Sequence, residues 1–157
     1  MNIVKKILLF LLIVFVIAQF FRPDKNEGSL ESVTAFYEDT KPPENVKAIL
    51  TKACFDCHSD ATRYPWYNNI TPVNYWLANH VKHGTKHFNV STWKGNSVKR
   101  KDHKMEELIE MVEAKKMPLP SYTWTHSDAK LSNQQIEEIL KWAEQVRLGY
   151  ALTPRPE

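Results

Sequence analysis

The chain begins with an apolar run, and apolar and polar residues are mixed throughout the rest of the sequence. Residues 7–21 are apolar except for one glutamine, and Lys5 and Lys6 precede them. This run is longer than most signal-peptide cores, and snorkelling lysines extend it toward the length of a membrane span. No small-residue cleavage site precedes Arg22. The pattern therefore favours an uncleaved transmembrane helix over residues 1–21, with the paired lysines on the cytoplasmic side; a cleaved signal peptide is the alternative.

Residues 22–43 are polar and rich in turn formers, with one apolar patch at Phe36 and Tyr37. This composition predicts a polar tether that ends by touching a folded domain. The domain itself is then expected to occupy residues 44–157, which is enough chain for one moderate core.

Helical periodicity begins directly after the tether. Pro42 and Pro43 suit the first turn of a helix. An apolar stripe with the spacing i, i+3, i+4, i+7 follows them and predicts an amphipathic helix. The stripe consists of Val46, Ile49, Leu50 and Ala53. A second helix is expected from Pro72 to about Lys82, broken near Gly84, with a loop over residues 85–100.

Two further helices are predicted in the second half of the chain, and nothing there resembles a strand. The third carries its apolar face on Met105, Leu108, Ile109 and Val112. It should end near Met117, because Pro118 and Pro120 disfavour helix. The last begins after Ser132, which has capping-box spacing to Gln135. Its inward stripe is Ile136, Ile139, Leu140 and Ala143, with Trp142 on the flank.

Composition narrows the function classes without selecting one. The net charge is +3 and 25% of residues are charged, so there is no case for nucleic-acid binding. Aromatic residues are abundant, with five Trp, six Tyr and seven Phe, whereas glycine occurs only four times. A small domain of this kind suits either a flat apolar ligand or a core built on large side chains.

The only two cysteines stand in the stretch "CFDCH", as Cys54 and Cys57, directly before His58. Two thiols on one helical turn can each bond a haem vinyl group, while the adjacent histidine binds the iron. Three alternatives remain open at this point. They are a thioredoxin-like redox pair, which expects a βαβ pattern; a zinc site with a distant histidine; and a structural disulfide in an exported protein.

A haem iron bound by one histidine has an open sixth position, for which Met117 is the main candidate. A thioether is a soft ligand that raises the reduction potential of haem, and the prolines after Met117 would hold its loop extended. The alternative for a lone methionine is core filler. His80 is the runner-up ligand. His80, His83 and His87 would align on one helix face if Gly84 did not interrupt it, and His103 and His126 are expected on the surface.

These residues resemble the bacterial haem-binding-domain family of cytochrome c-like proteins. The resemblance rests on "CFDCHSDATRYPWYNNITPV", "NHVKHGTKHFNVSTW" and "KKMPLPSYTWTHSDAKLSNQQIEEILKWAE", within about residues 40–147. It implies an all-α, cytochrome c-like helical domain around one covalent haem c, preceded by a membrane anchor. It also implies Cys54 and Cys57 as thioether residues, His58 as the proximal ligand and Met117 as the distal ligand.

The expected function is a membrane-anchored monohaem c-type cytochrome that carries electrons on the periplasmic side of the inner membrane. A haem with two strong axial ligands has no vacant site, which favours an electron carrier over an enzyme. The expected partners are redox proteins of a respiratory chain. The alternative is a haem-based sensor or peroxidase-like enzyme with an open or displaceable sixth ligand.

Overall fold

The computed structural model describes residues 2–152, so the outer ends of the predicted segments 1–21 and 44–157 lie outside the described residues. This part of the chain is all-α, as predicted, and forms no strand. Its helices are α1 (Ile3–Ala18), α2 (Thr34–Thr40), α3 (Glu44–Ala53), α4 (Phe55–His58), α5 (Val73–His87), α6 (Val98–Glu113), α7 (Pro120–Thr123) and α8 (Asn133–Leu152). Short 3₁₀ helices cover Leu30–Val33, Trp66–Asn69, Trp93–Gly95 and Ser127–Ala129.

Helix α1 is apolar on every side, and all of its large side chains are solvent-exposed. It has 16 residues, which at 1.5 Å per residue is about 24 Å, against about 30 Å of hydrocarbon in a bilayer. No helix among the described residues combines the length and apolarity needed to cross a membrane. The structure therefore does not support the transmembrane helix predicted for residues 1–21.

The predicted tether contacts the domain along much of its length. The Asn26 amide donates to the Ser59 carbonyl at 2.8 Å and to the Thr62 hydroxyl at 2.9 Å. Further along, the segment forms α2, whose Phe36 is completely buried. The apolar patch predicted to touch the domain thus lies at the centre of its core.

The core is built around the Phe36 ring. Its edge-on partners include Phe55 from α4, Trp93 at a centroid distance of 5.0 Å, and Trp142 from α8. Such edge-to-face pairs add about 0.5–1.5 kcal/mol each beyond the apolar area that they bury. Trp142 was predicted on the flank of the last helix. It is instead buried, and its indole N–H donates to the Thr40 carbonyl at 2.9 Å.

Helices α6 and α8 form the largest helix pair, and their apolar stripes face each other as the periodicity predicts. The capping box is confirmed: the Gln135 N–H donates to the Ser132 hydroxyl, and the Ser132 N–H donates to the Gln135 side chain. Arg147 on α8 binds Asp102 and Glu106 on α6 across the exposed edge of the pair.

The predicted helix break at Gly84 is wrong, because α5 continues through this residue to His87. The residue does not interrupt the hydrogen-bonding pattern, since its φ lies outside the left-handed region. Its role is to allow α5 to cross α4 closely. The predicted loop over residues 85–100 consequently contains the end of α5 and the beginning of α6.

Candidate functional site: the Cys-x-x-Cys-His turn and its cleft

The stretch "CFDCH" consists of Cys54, which follows the last residue of α3, and the single helical turn of α4. The N–H groups of Cys57 and His58 both donate to the Cys54 carbonyl, at 3.1 and 3.0 Å. Phe55 points into the core and is 1% exposed, which anchors the turn. Both cysteines are free thiols and half-buried. The turn therefore presents two unbridged sulfurs one helical turn apart, next to the histidine.

The protonation of these thiols differs from that of a thioredoxin-like pair. Burial raises the pKa of Cys54 to about 12 and that of Cys57 to about 11. The neighbouring Cys57 thiol raises the pKa of Cys54 further, and the Asp56 carboxylate raises the pKa of Cys57 further. Redox-active pairs instead have a lowered thiol pKa. The described residues also hold no group of three or more His, Cys, Asp or Glu side chains placed to bind a metal ion.

His58 is held by two backbone carbonyls from the opposing helix. Its Nδ1 lies 2.8 Å from the Phe88 oxygen and 3.1 Å from the Gly84 oxygen. Because carbonyl oxygens only accept, Nδ1 carries the proton and donates to both, and Nε2 retains its lone pair. Burial lowers the pKa of His58, which favours the neutral imidazole. A neutral imidazole with a free Nε2 is the form that binds a metal, and carbonyl contacts of this kind to the other ring nitrogen orient metal-binding histidines.

Gly84 allows the close crossing that places these carbonyls. A Cβ built at this position would lie 2.2 Å from the Cys57 carbonyl oxygen and 3.0 Å from its carbonyl carbon. Any side chain here would push α5 away from the turn. The glycine thus fixes both the α4–α5 contact and the orientation of His58.

A cleft beside the turn is walled by aromatic and apolar side chains from α5, α7 and the Trp66–Asn69 segment. The lining residues that carry a polar group include Cys57, Tyr67, Trp76, His80, Tyr122 and His126. The aliphatic part of the cleft wall includes Leu77, Val81 and Leu119. A flat apolar ligand attached at Cys57 would contact this mixture of aromatic faces and aliphatic side chains.

Asp56 is the residue of the motif that sequence reasoning left without a role. It is 5% exposed and accepts three hydrogen bonds from Arg63, including Nε to Oδ1 at 2.9 Å. The Tyr122 hydroxyl donates to its Oδ2 at 2.6 Å. No periodicity or spacing signals this contact, because Tyr122 lies far along the chain in α7.

Two histidines reach the cleft with the same arrangement as His58. The Nδ1 of His80 donates to the Trp76 carbonyl at 2.8 Å, and that of His126 donates to the Tyr122 carbonyl at 3.1 Å. In the neutral form of each imidazole, this tautomer leaves the lone pair on Nε2. His126, predicted on the surface, is half-buried, and its ring stacks on Tyr122 at a centroid distance of 4.2 Å. His103 is exposed, as predicted.

The remaining histidines of α5 lie apart from the cleft wall. Because α5 continues through Gly84, His83 and His87 share a helix face and their rings stack at 6.5 Å. The carboxylate or cysteine partners of a metal stripe do not accompany them within the described residues.

Met117 lies just beyond α6, in the loop that leads to the cleft. The helix ends when Lys115 adopts a left-handed conformation, with φ of 54°, and the Met117 N–H then donates to the Met111 carbonyl at 3.1 Å. The Met117 side chain is half-buried and is not among the described side chains that line the cleft, whereas Leu119 is. The loop thus reaches the cleft two residues after the predicted ligand.

A family model described as a haem-binding domain matches residues 13–145 of the chain. The chain belongs to this family. The match spans the Cys-x-x-Cys-His turn, the cleft and the loop around Met117, so the haem-binding domain includes every candidate residue described above. No curated protein and no solved structure matches the chain.

The residues present fit a haem. Two free thiols lie on one turn, an imidazole has its Nδ1 fixed and its Nε2 free, and an aromatic cleft adjoins them. Thiol, imidazole and aromatic faces are the groups that haem proteins use to hold the cofactor. Haem binding by this domain therefore agrees with both the family and the local chemistry.

Proposed function

We propose that the protein is a monohaem c-type cytochrome in which Cys54 and Cys57 hold the haem covalently and His58 binds the iron. The observation that carries this proposal is the double carbonyl contact of the His58 Nδ1, at 2.8 and 3.1 Å, which leaves Nε2 as the free base. The two unbridged thiols beside it are the only cysteines in the chain.

Within this proposal the protein carries electrons and is not an enzyme. When bound, the haem supplies one-electron exchange between ferric and ferrous iron. Met117 is proposed as the second axial ligand, because it stands in a short loop fixed by two prolines and by hydrogen bonds to the end of α6. The chain's own part is to keep both axial positions filled and to limit solvent access with the aromatic wall of the cleft.

A second candidate function is a haem-based sensor or peroxidase-like enzyme with a displaceable sixth ligand. It is favoured by the two cleft histidines, His80 and His126, each with a free Nε2. His80 is the alternative axial ligand under this reading, and the imidazole that is not bound could move a proton at the cleft. Carbon monoxide binding to the reduced parent separates this candidate from the carrier.

Covalent attachment is tested by the mass of the mature protein. Expressed with a haem-maturation system, the parent should carry the added mass of one haem after denaturation. A Cys54→Ala/Cys57→Ala double variant should carry none, since both thioether bonds are removed. Unmodified parent polypeptide, from cells that mature another c-type cytochrome in parallel, would show that the family's haem is held here without thioethers.

We also propose that α1 holds the protein at the periplasmic face of the inner membrane, near redox partners of a respiratory chain. The large apolar side chains of α1 are solvent-exposed, so this helix is expected to partition into lipid, and its Lys5 and Lys6 favour a cytoplasmic N-terminus. The Gln19 side chain exchanges two hydrogen bonds with the backbone of Thr71, at 2.9 and 3.1 Å. These bonds connect the end of α1 directly to the start of α5, so the haem domain would lie close to the membrane.

Membrane attachment is tested with a charge in the middle of α1. Leu12→Arg should move most of the protein from the membrane pellet to the soluble fraction, because an arginine at the centre of a lipid-embedded helix costs about 2.5–3.5 kcal/mol. Leu30→Arg is the matched control, since Leu30 is similarly exposed but lies outside α1. A parent that is already soluble, or two variants that fractionate alike, would contradict attachment through α1.

A further inference from the structure

The Asp56 carboxylate joins two segments that are distant along the chain. Arg63 binds it through its backbone N–H and its guanidinium, at 2.9 to 3.2 Å. Tyr122 donates to Oδ2 at 2.6 Å, the same oxygen that accepts from one guanidinium nitrogen of Arg63. The carboxylate is nearly inaccessible to solvent, and it lies between the two cysteines of the motif.

Tyr122 is the one residue of the 117–126 loop that hydrogen-bonds to the motif through its side chain within the described residues. It lies in α7, directly after Pro118, Leu119 and Pro120. Burial raises the pKa of Tyr122 and the neighbouring Asp56 raises it further, so the hydroxyl keeps its proton and donates. A hydrogen bond to an ionised acceptor is about twice as strong as one between neutral groups.

The same tyrosine fixes other parts of the loop. Its ring stacks on His126 at an interplanar angle of 12°, and its carbonyl accepts from the His126 Nδ1. Moving Tyr122 would therefore also move Leu119, which precedes it in the chain, and His126, which follows it. Both of these residues line the cleft. The Tyr122 hydroxyl thus holds the 117–126 loop in a fixed position relative to the Cys-x-x-Cys-His turn.

We propose that the hydrogen bond between Tyr122 and Asp56 is a latch that holds the 117–126 loop against the haem motif and keeps the distal axial position closed. Tyr122 is then a positioning residue that acts through the loop and not through the iron. This inference rests on the proposed covalent haem, and it deepens that function by naming what controls access to the sixth position.

The test compares Tyr122→Phe with Tyr150→Phe in the haem-loaded protein. Tyr150 is a matched control, because its hydroxyl also donates to a carboxylate, that of Asp39, and it lies away from the cleft. Tyr122→Phe should keep the covalent haem but bind carbon monoxide about tenfold faster in the reduced state, which corresponds to about 1.4 kcal/mol in the opening equilibrium. Its near-infrared iron–methionine band should weaken. Tyr150→Phe should match the parent in both measurements.

The outcomes separate the latch from the function on which it rests. A parent without covalent haem overturns the proposed cytochrome. A haem-loaded Tyr122→Phe that matches the parent overturns the latch alone. An equal acceleration in Tyr150→Phe also overturns it, since loss of general stability would then explain the effect.

A second variant keeps the test open if Tyr122→Phe is not recovered folded. Asp56→Asn retains an acceptor oxygen but removes the charge, and it should accelerate carbon monoxide binding. Arg63→Gln removes the guanidinium donors to the same carboxylate but leaves the Tyr122 hydroxyl and its acceptor in place, so it should accelerate binding less. Asp56→Asn rates equal to those of the parent, or to those of Arg63→Gln, would overturn the latch.

Discussion

A Gly84→Ala variant is expected to lose most of its covalent haem and to unfold at a clearly lower denaturant concentration than the parent. The new methyl group would lie 2.2 Å from the Cys57 carbonyl oxygen. Because this neighbour is backbone, α5 itself must move. Overpacking of this kind costs about 1–3 kcal/mol, and the upper end applies where backbone must shift. The better helix propensity of alanine returns only about 1 kcal/mol.

Haem loss follows from the same displacement. The Gly84 and Phe88 carbonyls orient His58 through its Nδ1, and both lie on the segment that the methyl group would push away. A misoriented imidazole presents Nε2 poorly, so attachment at the adjacent cysteines should become inefficient. The measurements are urea denaturation and the haem-to-protein ratio of purified protein.

Gly95→Ala is the control, because a Cβ there meets no atom within 4 Å and its φ lies outside the left-handed region. Its stability should stay within about 0.5 kcal/mol of the parent, as for most surface substitutions. If Gly84→Ala keeps the parent's midpoint and haem content, the close α4–α5 crossing does not determine the site.

Local patterns predicted those parts of the fold that depend on local signals. The stripes of α3, α6 and α8 define their buried faces, and the Ser132 capping box marks where α8 begins. The Cys-x-x-Cys-His spacing likewise predicts haem binding, in agreement with the family match. Each of these signals lies within about ten residues, so no knowledge of the tertiary arrangement is needed to interpret it.

Contacts between distant segments could not be predicted in this way. Phe36 lies in a polar stretch with one short apolar patch, too brief to show a helical period, yet it is the centre of the core. Gly84 was interpreted as a helix breaker, whereas its purpose is a close approach to Cys57. Tyr122 reaches the motif, and His126 reaches the cleft, only through the path of the chain after α6, which local patterning does not determine.

A Met117→Leu variant is expected to keep the covalent haem and to lose the sixth ligand. Leucine has a similar volume, and such a swap costs less than about 1.5 kcal/mol in a packed site, so the main change is removal of the sulfur. The weak near-infrared band of a ferric iron–methionine bond should disappear. The reduction potential should fall on the order of 100 mV, a fraction of the roughly 0.8 V over which axial ligands set haem potentials.

The control is Met111→Leu, in which the same exchange is made inside α6, six residues before the proposed ligand. It should keep the band, the potential and slow carbon monoxide binding. All three properties should change together in Met117→Leu, because a single iron–sulfur bond accounts for them. A parent that lacks the band and binds carbon monoxide readily would instead favour the sensor or enzyme. His80→Ala would then become the decisive variant, since His80 has a free Nε2 at the cleft, and under the carrier proposal its removal should leave the spectrum unchanged.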